Sequence, residues 1–133
     1  MSNEKGLVEL LRKAGYSEKA IDYYIRKLNV GVIEGAEAVD SFTGLCGDSM
    51  KVYLKVEEGL IKDAKFQAIG CAGAFASGSA VTEMVKGKTL KEVEKITEQD
   101  IIKDLEEIPG PKIHCARLAV DALRKSIESY MKR

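Results

Sequence analysis

The sequence predicts an α+β fold, one antiparallel sheet with helices on one face. Three observations predict it. Strict alternation of apolar and polar residues is confined to one block, roughly 50–69; helical periodicity brackets that block on both sides; and the last helical stretch is the longest. At 133 residues with 45% hydrophobic content, the chain fits one domain with a sizeable core and is too apolar for global disorder.

The elements follow in order. Leu7, Val8, Leu10 and Leu11 cluster at near-helical spacing and Gly15 ends the run, giving an N-terminal helical segment at about 4–15. Ser17 is placed to cap a second helix whose stripe is Ala20, Ile21, Tyr24, Ile25 and Leu28, stopped by Asn29 and Gly31. The stretch to Gly44 is mixed, with a short edge strand expected at Ala38 to Thr43. Met50, Val52, Leu54 and Val56 alternate with Lys51, Tyr53, Lys55 and Glu57, the pattern of a strand with one wet face. Glu58-Gly59 makes a turn, and Leu60 to Ile69 returns with Ala64, Phe66 and Ala68 facing inward. The following small-residue helix can pack closely through Ala74, Gly78 and Val81, and Gly87 ends it. Thr89 with Glu92 has capping-box spacing, and Thr97 caps a further helix reaching Leu105. Pro109-Gly110-Pro111 breaks the chain before a long C-terminal helix carrying Ala116, Ala119, Val120, Leu123, Ile127 and Tyr130.

Lys and Arg number 21 and Asp and Glu number 21, so the net charge is zero. Phosphate backbones need a clustered positive excess, which argues against nucleic acid as the main partner. No run approaches the roughly 20 apolar residues of a membrane span, and no basic-then-apolar segment opens the chain. The expectation is a soluble cytoplasmic protein without a membrane partner.

Three cysteines are too few for a disulfide framework and odd in number. Each lies at a break in the pattern: Cys46 within Gly44-Leu45-Cys46-Gly47-Asp48, Cys71 within Gly70-Cys71-Ala72-Gly73, and Cys115 just past the proline break, beside the single histidine, His114. A cysteine alone is most often core filler. Three at element junctions fit better as ligands or nucleophiles, and the glycines beside Cys46 and Cys71 free the backbone to aim those sulfurs outward. Cys71 and Cys115 fall near helix N-termini, where the dipole favours thiolate, and Lys112 adds positive charge near Cys115. Asp48 supplies an oxygen donor and His114 an imidazole. Three cysteines plus either one suit tetrahedral zinc or an iron–sulfur cluster, and ligand counting does not choose between them. Paired C-x-x-C spacing is absent, so no ordinary zinc finger is indicated.

The motifs Tyr16-Ser17-Glu18-Lys19 with Asn29-Val30-Gly31, Cys46-Gly47-Asp48-Ser49-Met50, Gly70-Cys71 with the Ala-Ser-Gly-Ser run, Val85-Lys86-Gly87-Lys88, and Lys112-Ile113-His114-Cys115 occur in that order. In them the chain closely resembles the iron–sulfur cluster assembly scaffold family, the IscU proteins and the N-terminal domain of NifU, from about Tyr16 to the C-terminus. The resemblance implies a single scaffold domain over 1–133, with a three-stranded antiparallel sheet and the cysteines at one exposed end. It implies a non-enzymatic scaffold that builds a transient [2Fe–2S] cluster on Cys46, Cys71 and Cys115, with Asp48 or His114 near the fourth position. Zinc can occupy the cluster-free site. The implied partners are a cysteine desulfurase supplying sulfur as persulfide, an iron donor, and carrier or apo-protein acceptors. By position Cys115 matches the family's main persulfide acceptor, and Lys112 a lysine that pairs with groups of the ligand site.

Two departures bear on partners and branch. Many bacterial members carry Leu-Pro-Pro-Val-Lys before the third cysteine, read by a dedicated Hsp70-type chaperone. Here that stretch is Ile108-Pro109-Gly110-Pro111-Lys112, which puts the chaperone in doubt. The zinc-dependent sulfur-acceptor branch, SufU, carries an insertion between the second and third cysteines, and the Cys71 to Cys115 segment looks too short for it. A zinc-holding activator of a desulfurase is nonetheless the alternative reading. A Cys115–His114 hydrolase fits poorly, because neighbours on a helix point about 100° apart. A shared cluster leaves homo-oligomerisation open.

Overall fold

The computed structural model describes residues 2–45 and 47–132, with the backbone alone for residues 2 and 3. The element order is α1 (Ser2–Ala14), α2 (Glu18–Arg26), β1 (Ala38–Thr43), β2 (Ser49–Glu57), β3 (Leu60–Ile69), α3 (Ala72–Val85), α4 (Leu90–Val93), α5 (Glu98–Asp104) and α6 (His114–Met131), with a 3₁₀ turn at Gly110–Lys112 before α6. The three strands form one antiparallel sheet in the order β1-β2-β3, as expected for this α+β class.

The hairpin between β2 and β3 closes through a two-residue turn in which both Glu58 (φ +53°) and Gly59 (φ +77°) are left-handed. That is the turn whose twist matches the flanking strands. A register shift lies at Lys55/Val56, and the Val56 N–H donates to the Glu37 carboxylate at 2.8 Å. Along the inner face Met50, Val52, Leu54, Ile61, Ala64 and Phe66 are each at most 1% exposed. Helices α3 and α6 cover them. The buried Ser126 hydroxyl of α6 donates to the Val52 carbonyl at 2.8 Å, so this polar group enters the core satisfied. Helix α3 meets the sheet at Gly78, where an added Cβ would stand 2.4 Å from the Phe66 ring.

The structure differs from the sequence expectation at particular residues. Tyr53, on the face expected to be wet, is buried. Its hydroxyl donates to Gln67 Oε1 at 2.6 Å and the Lys51 ammonium lies 5.4 Å from the ring centroid. Helix α2 ends at Arg26 rather than at Asn29, because Lys27 takes the left-handed C-cap conformation (φ +52°). Asn29 and Gly31 serve instead to dock the chain on β3: the Phe66 N–H donates to the Asn29 carbonyl at 2.9 Å and the Gly31 N–H to the Phe66 carbonyl at 2.8 Å. The outer edge of β3 is thereby partly covered, as exposed sheet edges commonly are. Both capping boxes form, Thr89 with Glu92 and Thr97 with Asp100.

Helix α1 begins at Ser2 and rests lightly on the rest of the molecule, with Val8 and Leu11 half-buried and Leu7 and Leu10 exposed. Arg12 ties it to α2 by reaching Glu18 at 2.7 Å, with Glu9 at 3.1 Å. Beyond it, Gly15 (φ +104°) lets the chain turn against the Pro109 ring. The Ser17 N–H then donates to the Glu107 carbonyl at 3.4 Å, its hydroxyl to the Leu105 carbonyl, and Lys19 pairs with Asp104 at 3.1 Å. These contacts seat Tyr16 beside the segment that leads into α6.

Candidate metal centre

Three junctions converge at one end of the sheet: the connection from β1 to β2, the exit of β3 into α3, and the start of α6. Asp48 precedes β2, and its carboxylate lies against Gly70, where a Cβ would stand 2.8 Å from Oδ2. The missing side chain at position 70 is what lets the carboxylate cross to the end of β3. Ligand atoms of Asp48, His114 and Cys115 all lie within 4.8 Å of one another. Cys71 Sγ joins them through Cys115, 3.7 Å from its sulfur, and His114 Nε2 lies 3.8 Å from the same sulfur. Cys46, the remaining expected ligand, lies outside the described residues.

Cys115 is 0% exposed, whereas the resemblance implies cysteines at one exposed end. The first turn of α6 presents it to Gly73 of α3, where a Cβ would stand 3.2 Å from the sulfur, 3.2 Å from the Tyr16 hydroxyl and 3.4 Å from Lys112 Cβ. Gly73 thus leaves the volume that the thiol and the phenol share. Cys71 is half-buried as the N-cap residue of α3, Asp48 is half-buried, and His114 is exposed. Tyr16 and Gly73 were not among the site residues expected from the sequence. Tyr16 sits one residue before an N-cap and 55 or more positions from either cysteine, and no local pattern links such positions.

The electrostatics separate the two thiols. Burial pushes the Cys115 thiol up to about 12, reinforced by the negative charge and hydrogen bond of Cys71 and by Asp48, against the opposing Lys112 charge. This reverses the expectation that its helix N-terminus would favour thiolate, because desolvation outweighs the dipole. For Cys71 burial also raises the pKa, but the amide of Ala74, the Cys115 thiol, the amide of Gly73 and the Lys112 charge outweigh it, and the net shift is downward. The net shifts of the two neighbouring thiols are therefore opposite, up for Cys115 and down for Cys71. The Tyr16 hydroxyl is pushed up to about 12 by burial and by the two sulfurs. Lys112 is half-buried, and its positive charge acts on both thiols.

Beside the site an open groove of about 480 Å³ runs between the end of β1 and α6, lined by Phe42, Leu45, His114, Arg117 and Leu118 among others. Leu45, Ile69 and Ile113 are exposed apolar residues, each one or two positions before a cysteine. Among the described residues no helix is long and apolar enough to cross a membrane.

The family model of the NifU-like N-terminal domain matches residues 15–133, all of the chain beyond α1. The chain belongs to this family. It is 48% identical over 120 residues to the iron–sulfur cluster assembly scaffold protein IscU of Escherichia coli K12, covering 86% of this chain and 93% of that protein. It is 44% identical over 119 residues to the iron–sulfur cluster assembly scaffold protein IscU 1 of Archaeoglobus fulgidus, covering 89% and 78%. The fold of this NifU-like chain is shared with a crystal structure from Fervidobacterium islandicum AW-1, described as a candidate scaffold protein for iron–sulfur cluster assembly in the SUF system. Its TM-score is 0.70 at 28% identity, covering 84% of this chain and 96% of that one.

Proposed function

We propose that residues 1–133 act as one cytoplasmic, non-enzymatic scaffold unit, α1 being an appended segment, on which a transient [2Fe–2S] cluster is built and then handed on. The observation that carries this reading is the convergence of the Asp48, His114 and Cys115 donor atoms within 4.8 Å, with Cys71 a further 3.7 Å from Cys115, in a NifU-like chain. The cluster is cargo rather than a resident cofactor. Cys46, Cys71 and Cys115 are its thiolate ligands, with Asp48 or His114 completing the set. An oxygen or imidazole donor in place of a fourth thiolate, with His114 exposed, makes the cargo easier to release. Cys115 holds sulfur as persulfide before the cluster forms, and Lys112 offsets negative charge gathered at the site. The partners are a cysteine desulfurase, an iron donor and acceptor apo-proteins or carriers. The departure from the Leu-Pro-Pro-Val-Lys segment leaves an Hsp70-type chaperone out of the proposal.

A zinc-holding sulfur acceptor that activates a desulfurase is the second reading, favoured by the same Asp–His–Cys donor set, which also suits tetrahedral zinc. Metal and acid-labile sulfide analysis with an absorption spectrum, on anaerobically purified protein, separates the two. Iron and sulfide in similar amounts, with bands that fade when an apo-acceptor is added, support the scaffold. If zinc-stripped protein given iron, sulfide and a desulfurase builds no cluster, the scaffold reading is overturned in favour of the zinc-holding one.

A further inference from the structure

Positions 48 and 70 face one another at the end of the sheet. The ladder between β2 and β3 closes with Ser49 opposite Ile69, and one step further the same register sets Asp48 opposite Gly70. The backbone is held on both sides. The Gly44 N–H donates to the Asp48 carbonyl at 2.8 Å, closing the turn into β2, and the Ser49–Ile69 pair fixes the exit of β3. Opposed residues in such a ladder have Cβ atoms about 4.5–5.5 Å apart, so a side chain at 70 would share space with the one at 48. A Cβ there would stand 2.8 Å from Oδ2 and 2.9 Å from Cγ of Asp48, and 3.1 Å from the Ala74 Cβ in the first turn of α3. Gly70 is not among the glycines with left-handed φ, so its backbone conformation does not call for glycine. What it supplies is room.

We infer that Gly70 is a positioning residue of the site: the volume its missing side chain leaves open holds the Asp48 carboxylate where it meets the His114 and Cys115 donors. The inference rests on the reading that Asp48 belongs to the donor set, and it names what keeps that carboxylate in place. A methyl group at 70 has three neighbours to displace. Ala74 is fully buried at the start of α3, and the backbones of both strands are bonded to one another. The Asp48 carboxylate is the free end of a short side chain, so its rotation is the easiest relief. That rotation takes it out of the position in which the ligand atoms of Asp48, His114 and Cys115 lie within 4.8 Å of one another. The groups that orient a ligand matter to a metal site nearly as much as the ligand itself, and here the orienting group is an absence of atoms. Gly70→Ala is therefore expected to act as a loss of Asp48 while every donor is still present in the chain.

The test uses the full chain, reduced and metal-free under anaerobic conditions, with Co(II) alone as the probe, because its visible bands report the donors that hold it. Asp48→Ala is expected to shift those bands, and Gly70→Ala to shift them to the same positions. The Gly70→Ala/Asp48→Ala double variant is expected to match Asp48→Ala alone, since the methyl then has no carboxylate to displace. Gly70→Ala/Ala74→Gly, which frees the methyl from α3 but not from Asp48, is expected to keep the shifted spectrum. Wild-type bands in Gly70→Ala, beside shifted bands in Asp48→Ala, overturn the positioning role alone. A further shift in the first double variant, or a return of the wild-type bands in the second, does the same, because Gly70 would then act through α3 and Cys71. Wild-type bands in Asp48→Ala remove the carboxylate from the donor set, and the inference falls with that reading. Urea midpoints of the metal-free proteins give a second measurement that needs no bound ion. Asp48→Ala is expected to raise the midpoint more in the Gly70→Ala background than in the wild type, and an equal effect in both overturns the conflict between methyl and carboxylate.

Discussion

Gly78→Ala is a sharp test of how α3 is held on the sheet. In an open helix position the change stabilises by about 1 kcal/mol, since alanine is the better helix former. Here the new methyl would stand 2.4, 2.6 and 2.7 Å from three atoms of the Phe66 ring. Carbon atoms pack at about 3.5–4.0 Å, so the ring or the helix must withdraw by about 1 Å. Phe66 has nowhere to go: it is 0% exposed, its ring meets Phe75 at 6.1 Å, and its backbone is bonded to Asn29 on one side and Gly31 on the other. Overpacking costs about 1–3 kcal/mol, and a three-atom clash against a fixed ring belongs at the upper end. The net expectation is a loss of about 2 kcal/mol, or about 8 °C in melting temperature for a domain of this size. Urea unfolding of the metal-free protein measures it. In a Phe66→Leu background the same substitution should turn stabilising, by the helix-propensity gain. A stabilised Gly78→Ala single variant would refute the close approach of α3 to β3, and with it the placement of Cys71.

Three further outcomes are expected. Asp48→Ala should leave a more persistent cluster, followed by the decay of visible absorbance; equal or faster loss would remove the carboxylate from any part in release. In the metal-free, reduced protein Cys115 and Tyr16 are each pushed up to about 12 from ordinary values of 9.0 and 10.0. The unfolded chain therefore loses these protons first, so their stability contribution is full below about pH 8.5 and falls as the pH rises toward 12, with the lowered Cys71 acting in the opposite sense. Urea midpoints at about pH 8 and about pH 10.5 should show the decline, and Tyr16→Phe should make it shallower; a flat or rising profile contradicts the assignment. Thr97→Ala removes the cap of α5 and should cost about 1 kcal/mol in the same assay, whereas an unchanged midpoint would mean the capping box does not hold α5.

What was legible in the sequence was what short-range chemistry writes there. The alternation from Met50 to Val56 and the Glu58-Gly59 pair specify a hairpin and its register. Thr89 and Thr97 announce helix starts, and the proline break announces the start of α6. The cysteines fell at junctions, and junctions at one end of a sheet are where separate segments can meet. Tyr53 departs from the alternation because alternation reports which face a residue lies on, while Lys51 and Gln67 cover the ring on that face. Helix α2 ends before Asn29 and Gly31 because these two pair with Phe66, a partner far along the chain. The inward turn of Cys115 depends on an absent side chain at position 73, and the arrival of Tyr16 depends on how Gly15 and Ser17 dock against residues 105–109. Contacts of that range leave no periodic trace.

The site draws its donors from segments that are neighbours only when the sheet, α3 and α6 are assembled together. An ion or cluster held there bonds to the folded chain and has no equivalent seat on the unfolded one. By mass action its occupancy adds RT ln(1 + [L]/Kd) to the folding free energy, about 2.7 kcal/mol at a hundredfold excess over Kd. Loaded and emptied molecules would therefore differ in stability as well as in content. The thermal midpoint of a sample should then report its degree of loading, and removal of the ion or cluster should lower that midpoint.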